Sequence, residues 1–145
     1  MIELIKPEDT LALRSQVLRN GLAPDACLFE TDNLPTTFHM GYFLTNGVIA
    51  AVLSCQLESL EDYAGIGYRL RGMATDPAWQ GKGFGRELLQ QTITYLTNDL
   101  TVDYLWCNAR KIAYGFYQHA GFQFLSAEFE IHGIGPHSVM YFQLS

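Results

Sequence analysis

A single α/β domain over residues 1–145, its mixed and mostly antiparallel sheet of about seven strands flanked by helices, is predicted by three observations. The length suits one compact unit around one hydrophobic core. Short β-patterned runs interleave with amphipathic stretches in the order β-α-β-β-β-α-β-α-β-β. Between the second and third β runs stands Asn46-Gly47, a strong short-range hairpin signal.

Ile2 to Ile5 alternates apolar and polar residues, a short first strand. Pro7, Glu8 and Asp9 open a helix, with Leu11, Val17 and Leu18 as its buried stripe and Asn20-Gly21 as its stop. Residues 22–37, holding Pro24, Asp32, Asn33 and Pro35, read as a loop with room for one helical turn. Phe38 to Thr45 and Val48 to Leu57 form the hairpin, and Asn46-Gly47 suits a two-residue type I′ turn. After an acidic loop (Glu58, Glu61, Asp62), Gly65 to Thr75 is a strand ended by Asp76-Pro77. From Gly83 to about Thr97, Phe84, Leu88, Thr92 and Leu96 share one helix face. Val102 to Cys107 is a strand, and Ile112 to Ala120 a helix closed by Gly121. Phe122 to Ile131 and Val139 to Leu144 are the last strands, joined by a glycine-rich turn.

Composition narrows the function. A formal charge of −6 argues against nucleic acid, which needs clustered Lys and Arg, and favours cationic partners. The first residues are too short and charged for a signal peptide, and no apolar run nears the roughly 20 residues that span a bilayer, so no membrane partner is expected. Cys27, Cys55 and Cys107 read as free, mostly buried thiols of a reducing compartment, which places the chain in the cytoplasm. The four histidines have no ligand spacing, and no metal is expected.

Gln80-Gly81-Lys82-Gly83-Phe84-Gly85-Arg86 lies between a strand and a helix. Small residues let the backbone curl so that several N–H groups meet one anion, helped by the positive end of the helix. A dinucleotide fingerprint counted from Gly81 or Gly83 would need glycine at Arg86 or Leu88, and a Walker loop would need other residues at Asp76 and Gly83. The segment instead resembles the pyrophosphate loop of the GNAT superfamily of acyl-CoA-dependent N-acyltransferases. Gln80, Gly83 and Gly85 meet its pattern, and Met73-Ala74-Thr75-Asp76-Pro77 matches the strand and proline before it. The order of elements is also similar, so the resemblance covers essentially the whole chain. It implies a sheet splayed between the fourth and fifth strands, and acetyl-CoA as cosubstrate. It implies contacts to acetyl-CoA from Met73, Ala74, Thr75, Gln80, Gly81, Lys82, Gly83, Phe84, Gly85 and Arg86, backbone groups near Met73 and Thr75 polarising the thioester. It allows a homodimer.

Phe116-Tyr117-Gln118-His119-Ala120-Gly121-Phe122 resembles a second signature of that superfamily, and Tyr117 then stands where many members place the acid that protonates the departing thiolate. A phenol is a fitting weak acid there, since phenols and thiols titrate in the same alkaline range. The alternative is an aromatic core residue. Where many members have an asparagine this chain has Arg110, with Asn108 two residues earlier. Either residue is a candidate contact to pantetheine or the 3′-phosphate, and a capping role suits Asn108 equally.

Transfer to an amine needs a proton acceptor, because only about a thousandth of a lysine-like amine is neutral near pH 7.4. The candidates are Glu58, Glu128, Glu130, His39, His132 and His137. Gly133-Ile134-Gly135-Pro136-His137 resembles a C-terminal segment of ElaA-type acetyltransferases, and His137 is the first candidate base, with a backbone-bonded turn histidine as the alternative. Glu58 is the second, unless it is simply an exposed loop acid. His39 reads as a satisfied strand residue and His119 as surface. The reaction expected is direct attack on acetyl-CoA by a primary amine of a small molecule or peptide, from a pocket of the 22–37 loop, Glu58 and the His137 turn. A non-catalytic acyl-CoA sensor or degenerate subunit would keep the loop without needing Tyr117.

Overall fold

The computed structural model describes all residues, Met1–Ser145. Its elements are β1 (Ile2–Ile5), α1 (Leu11–Leu13), β2 (Phe38–Phe43), β3 (Ile49–Leu57), β4 (Gly67–Thr75), α2 (Phe84–Asn98), β5 (Tyr104–Arg110), α3 (Tyr114–His119), β6 (Gln123–Phe124), β7 (Phe129–Ile131) and β8 (Gly135–Gln143). The strands form an open, mixed sheet in the order β1-β2-β3-β4-β5-β8-β6, with β7 also paired to β8. β1 with β2, β2 with β3, β5 with β8, β6 with β8 and β7 with β8 are antiparallel, and β4 with β5 is parallel. That parallel ladder holds only Gly67↔Tyr104, Tyr68↔Leu105 and Arg69↔Trp106. No helix is long and apolar enough to cross a membrane. Internal contacts divide the chain into two units, Met1–Leu57 with Leu70–Thr92 and Glu58–Arg69 with Ile93–Ser145.

The first unit packs Leu13, Val52 and Ala74 together, with Ile5, Val17, Leu18 and Ile49 against them. Its first helix is less regular than the sequence suggests: a 3-10 turn over Pro7–Thr10, one α turn, then a widened π turn over Arg14–Leu18. The Asn20-Gly21 stop holds, both residues being left-handed. The 22–37 loop contains one 3-10 turn, Pro24–Cys27. The hairpin is present, but its turn is not type I′, because only Gly47 has positive φ. Gly47 N–H donates to Leu44 O and Leu44 N–H to Val48 O, a three-residue loop ending in a left-handed glycine, which needs one special backbone position instead of two. Gly72 is left-handed inside β4, and a Cβ there would stand 3.0 Å from Arg14 Nε and 3.2 Å from the Phe29 ring. Only glycine fits that position.

In the second unit β5 pairs with β8 from Tyr104↔Gln143 to Arg110↔His137, so that β5 runs three residues past the predicted end at Cys107. The predicted sixth strand is two short ones. Ser126 interrupts it: its hydroxyl accepts from Val139 N–H (2.9 Å) and its carbonyl accepts from Ser138 Oγ (2.7 Å), replacing the regular ladder there. The sheet therefore has eight strands.

Candidate active site

The Gln80–Arg86 segment is built in the first unit. Asp76 caps the 3-10 turn Pro77–Trp79 by accepting from Ala78 N–H at 3.0 Å, and its own N–H donates to Ala50 O. Gln80 Nε2 donates to Thr75 O at 3.2 Å, so this side chain ties the loop to the end of β4. Gly81 (φ +80°) and Gly83 (φ +84°) are left-handed, and a Cβ on either would meet nothing within 4 Å. The helix starts at Phe84, whose ring stacks on Tyr42 at 4.4 Å. Gly85 is buried, while Lys82 and Arg86 are exposed. The first-turn N–H groups have no acceptor within the helix, and they follow directly on an open, glycine-shaped bend. Such a bend has room for a pyrophosphate, two cationic side chains beside it, and oriented N–H donors. Met73, Ala74 and Thr75 end β4, with Ala74 buried.

Tyr117 lies in the second unit, on α3, 8% exposed between Phe116 and Phe122, whose ring centroids are each 5.2 Å away. Its hydroxyl is within hydrogen-bonding reach of the Cys107 thiol on β5. Burial pushes that thiol up to about 12, against the pull of this bond and of the Arg69 charge, so Cys107 stays protonated and is no nucleophile at neutral pH. Asn108 sits inside β5 opposite Val139 and not at a helix start. Arg110 ends β5 and occupies the cap position of the turn Lys111–Ala113 without a side-chain cap bond.

The proton-acceptor candidates separate clearly. His137 is not in a turn but within β8, 4% exposed and stacked on Phe129. Its Nδ1 is 2.8 Å from Gly135 O, and a carbonyl only accepts, so Nδ1 carries the proton and Nε2 the lone pair of the neutral ring. Glu58 follows β3, its N–H bonded to Gly67 O and its carbonyl accepting from Trp106 Nε1 at 2.8 Å. Its side chain is half-buried, with Oε1 3.5 Å from Arg69 Nη1. Glu128 accepts from Tyr114 Oη and faces Lys111, and Glu130 and His132 are exposed. His119 is exposed, its Nδ1 near Gly115 O. His39 is satisfied as expected, and fully buried: Nδ1 meets Ser54 Oγ at 2.6 Å and Nε2 meets Asp32 O at 3.0 Å. No group of three or more His, Cys, Asp or Glu side chains is arranged to hold a metal ion.

Sequence reasoning missed a buried knot beneath the 22–37 loop. Arg14 donates to both oxygens of Asp32 (2.6 and 3.0 Å), to Cys27 O and to Ser54 Oγ, and its guanidinium lies 3.8 Å from the Phe29 ring centroid. Burial pushes the Asp32 carboxyl up, but the Arg14 hydrogen bond, the Phe29 N–H and the nearby positive charge outweigh it and hold it below its ordinary value. One local signal existed: Arg14 is three residues after Leu11 and four before Leu18, on the apolar stripe itself.

A family model described as the acetyltransferase (GNAT) domain matches residues 39–141. The chain is 35% identical over 141 residues to the uncharacterized N-acetyltransferase YitI of Bacillus subtilis (strain 168), covering 97% of this chain and 93% of that one. Its fold matches the ribosomal-protein-S18-alanine N-acetyltransferase of Escherichia coli (TM-score 0.78, 18% identity, 100% and 94% of the two chains). It also matches Escherichia coli ElaA (TM-score 0.75, 19% identity, 97% and 99%).

Proposed function

This chain belongs to the GNAT family of acetyltransferases, and we propose that it moves the acetyl group of acetyl-CoA to a primary amine by direct attack, residues 1–145 acting as one functional domain. The observation that carries the reading is the Gln80–Arg86 bend, with its two left-handed glycines, open space at both Cβ positions and the start of α2 directly behind them, where a helix offers N–H groups to an anion. Acetyl-CoA supplies the activated thioester. The N–H groups of Gly81 to Arg86 hold its pyrophosphate, with Lys82 and Arg86 adding charge, while backbone groups of Met73 to Thr75 align the pantetheine and polarise the carbonyl. Asn108 and Arg110 are the proposed contacts further along the cosubstrate.

The incoming ammonium first loses a proton. Its nitrogen then bonds to the acetyl carbon, the carbon–sulfur bond breaks, the thiolate takes a proton from Tyr117 Oη, and the nitrogen gives up its second proton to solvent, which in turn reprotonates the Tyr117 phenolate. Of the two candidate bases Glu58 is preferred, since its carboxylate is solvent-accessible whereas His137 is buried. The His137 reading keeps one point in its favour, the lone pair on Nε2. Free, buried cysteines suit the reducing cytoplasm. The test is an amine panel with acetyl-CoA that detects released thiol: amine-dependent release supports transfer, and binding of acetyl-CoA without release for any amine favours the sensor.

A further inference from the structure

Arg69 and Glu58 face each other in the second unit, and their pairing is loose. The contact is one Nη1–Oε1 distance of 3.5 Å, with the side chains 24% and 37% exposed. Arg14 and Asp32 show what this chain makes when a pair is meant to close, a two-pronged contact at 2.6 and 3.0 Å. Arg69 Nε, like Arg14 Nε, is buried with no hydrogen-bond partner, so what sets Arg69 apart is the long single contact of its outer nitrogen with Glu58. A guanidinium has five donors in a flat fork, and leaving them unmet in a partly dry place is unfavourable. Neither group is simply floppy. Glu58 is fixed at its N–H by Gly67 O and at its carbonyl by the Trp106 indole, and Arg69 lies over that same Trp106 ring at 5.1 Å. The frame thus holds a cation and a carboxylate side by side, the Glu58 backbone tied to the Trp106 indole and the Arg69 guanidinium lying over its ring. The positive charge of Arg69 also reaches Cys107, the partner of Tyr117.

We propose that this pair selects the acceptor as a free α-amino acid, Arg69 taking its carboxylate and Glu58 facing its ammonium. Resting on the acetyl-transfer reading above, this narrows the amine from any cation to one carrying an adjacent carboxylate. An α-amino acid places the two charges one carbon apart, matching neighbouring charges of opposite sign. Arg is suited to the carboxylate because its fork meets both oxygens at once. With the ammonium against Glu58, the same carboxylate that binds it removes the proton that must leave before attack.

The experiment takes phenylalanine, lysine and alanine, each beside its amide and its decarboxylated amine. Thiol release from acetyl-CoA and the melting shift in the presence of CoA are both measured. At least one free amino acid should exceed its amide and its amine by about thirtyfold or more in kcat/KM, the loss expected when one side of a desolvated charge pair is removed. The same amino acid should raise the melting temperature. Arg69→Met should bring the ratio towards one, and Arg69→Lys should keep part of it. Amides or simple amines that serve equally well overturn the proposal, as does a preference that survives in a folded Arg69→Met protein. If that variant does not fold, the wild-type ratios and shifts decide alone. Shifts without thiol release for any amine leave the amino-acid site standing and remove acetyl transfer, whereas absence of any amino-acid shift removes the site.

Discussion

The Gln80–Arg86 bend and the Arg14–Asp32 knot lie in the same unit and are built on opposite plans. The bend is made of backbone: Gly81 and Gly83 are left-handed, with open space at both Cβ positions, and the N–H groups of the first turn of α2 follow directly. The knot is made of side chains that are almost entirely buried, and its donors and acceptors are used on one another with the exception of Arg14 Nε. The first leaves hydrogen-bonding capacity for a ligand; the second consumes it to fix the 22–37 loop over β2 and β3. Capacity left over, and not polarity as such, marks a binding site.

Breaking the knot has the largest expected effect on stability. Asp32→Ala strands a buried guanidinium and should cost about 3–5 kcal/mol, seen in denaturant unfolding. A loss below about 1 kcal/mol would mean that water reaches Arg14 and that the contrast with the bend is overdrawn. Acid probes the same pair. The Asp32 carboxyl titrates below its unfolded value, so its stabilisation is complete above the ordinary carboxylate range and fades as pH falls through the lowered value. Unfolding midpoints of wild type and Asp32→Asn measured from pH 7 to pH 3 should therefore converge at the acid end.

Tyr117 could break the comparison from the other side, being a buried side chain proposed to act in chemistry. Tyr117→Phe keeps the ring between Phe116 and Phe122 and removes the hydroxyl that meets Cys107. Turnover should fall by about 10²-fold with acetyl-CoA affinity nearly intact. Unchanged turnover would assign the residue to packing. The smallest effect belongs to Gly81→Ala. With nothing near the new methyl, only left-handed strain of about 1–2 kcal/mol is expected in the melting of the free protein.

The same contrast explains what could be read from sequence. The bend is local, and glycine spacing inside seven residues announced it, as the Asn-Gly pair announced the hairpin. The knot joins residues 14, 32, 39 and 54, and no local window contains it. Strand existence was legible because alternation is local. The Ser126 break was not, because it depends on hydrogen bonds to Ser138 and Val139 across the turn. His137 was expected in a turn because Gly133, Gly135 and Pro136 precede it, but pairing with Arg110 and Phe129 draws it into β8. Glu58 looked like an exposed loop acid, and only its cross-strand neighbours Arg69 and Trp106 change that reading.

The most direct test of the central claim is the stabilisation of the protein by acetyl-CoA, wild type against Gly83→Asp. At 100 times its dissociation constant, acetyl-CoA should stabilise the wild type by about 2.7 kcal/mol. Gly83→Asp puts a carboxylate where the pyrophosphate is proposed to sit, in a position with open space at Cβ, so the free protein should stay folded and the shift should vanish. An equal shift in both proteins would contradict the account, since the cosubstrate would then be held somewhere other than the Gln80–Arg86 bend.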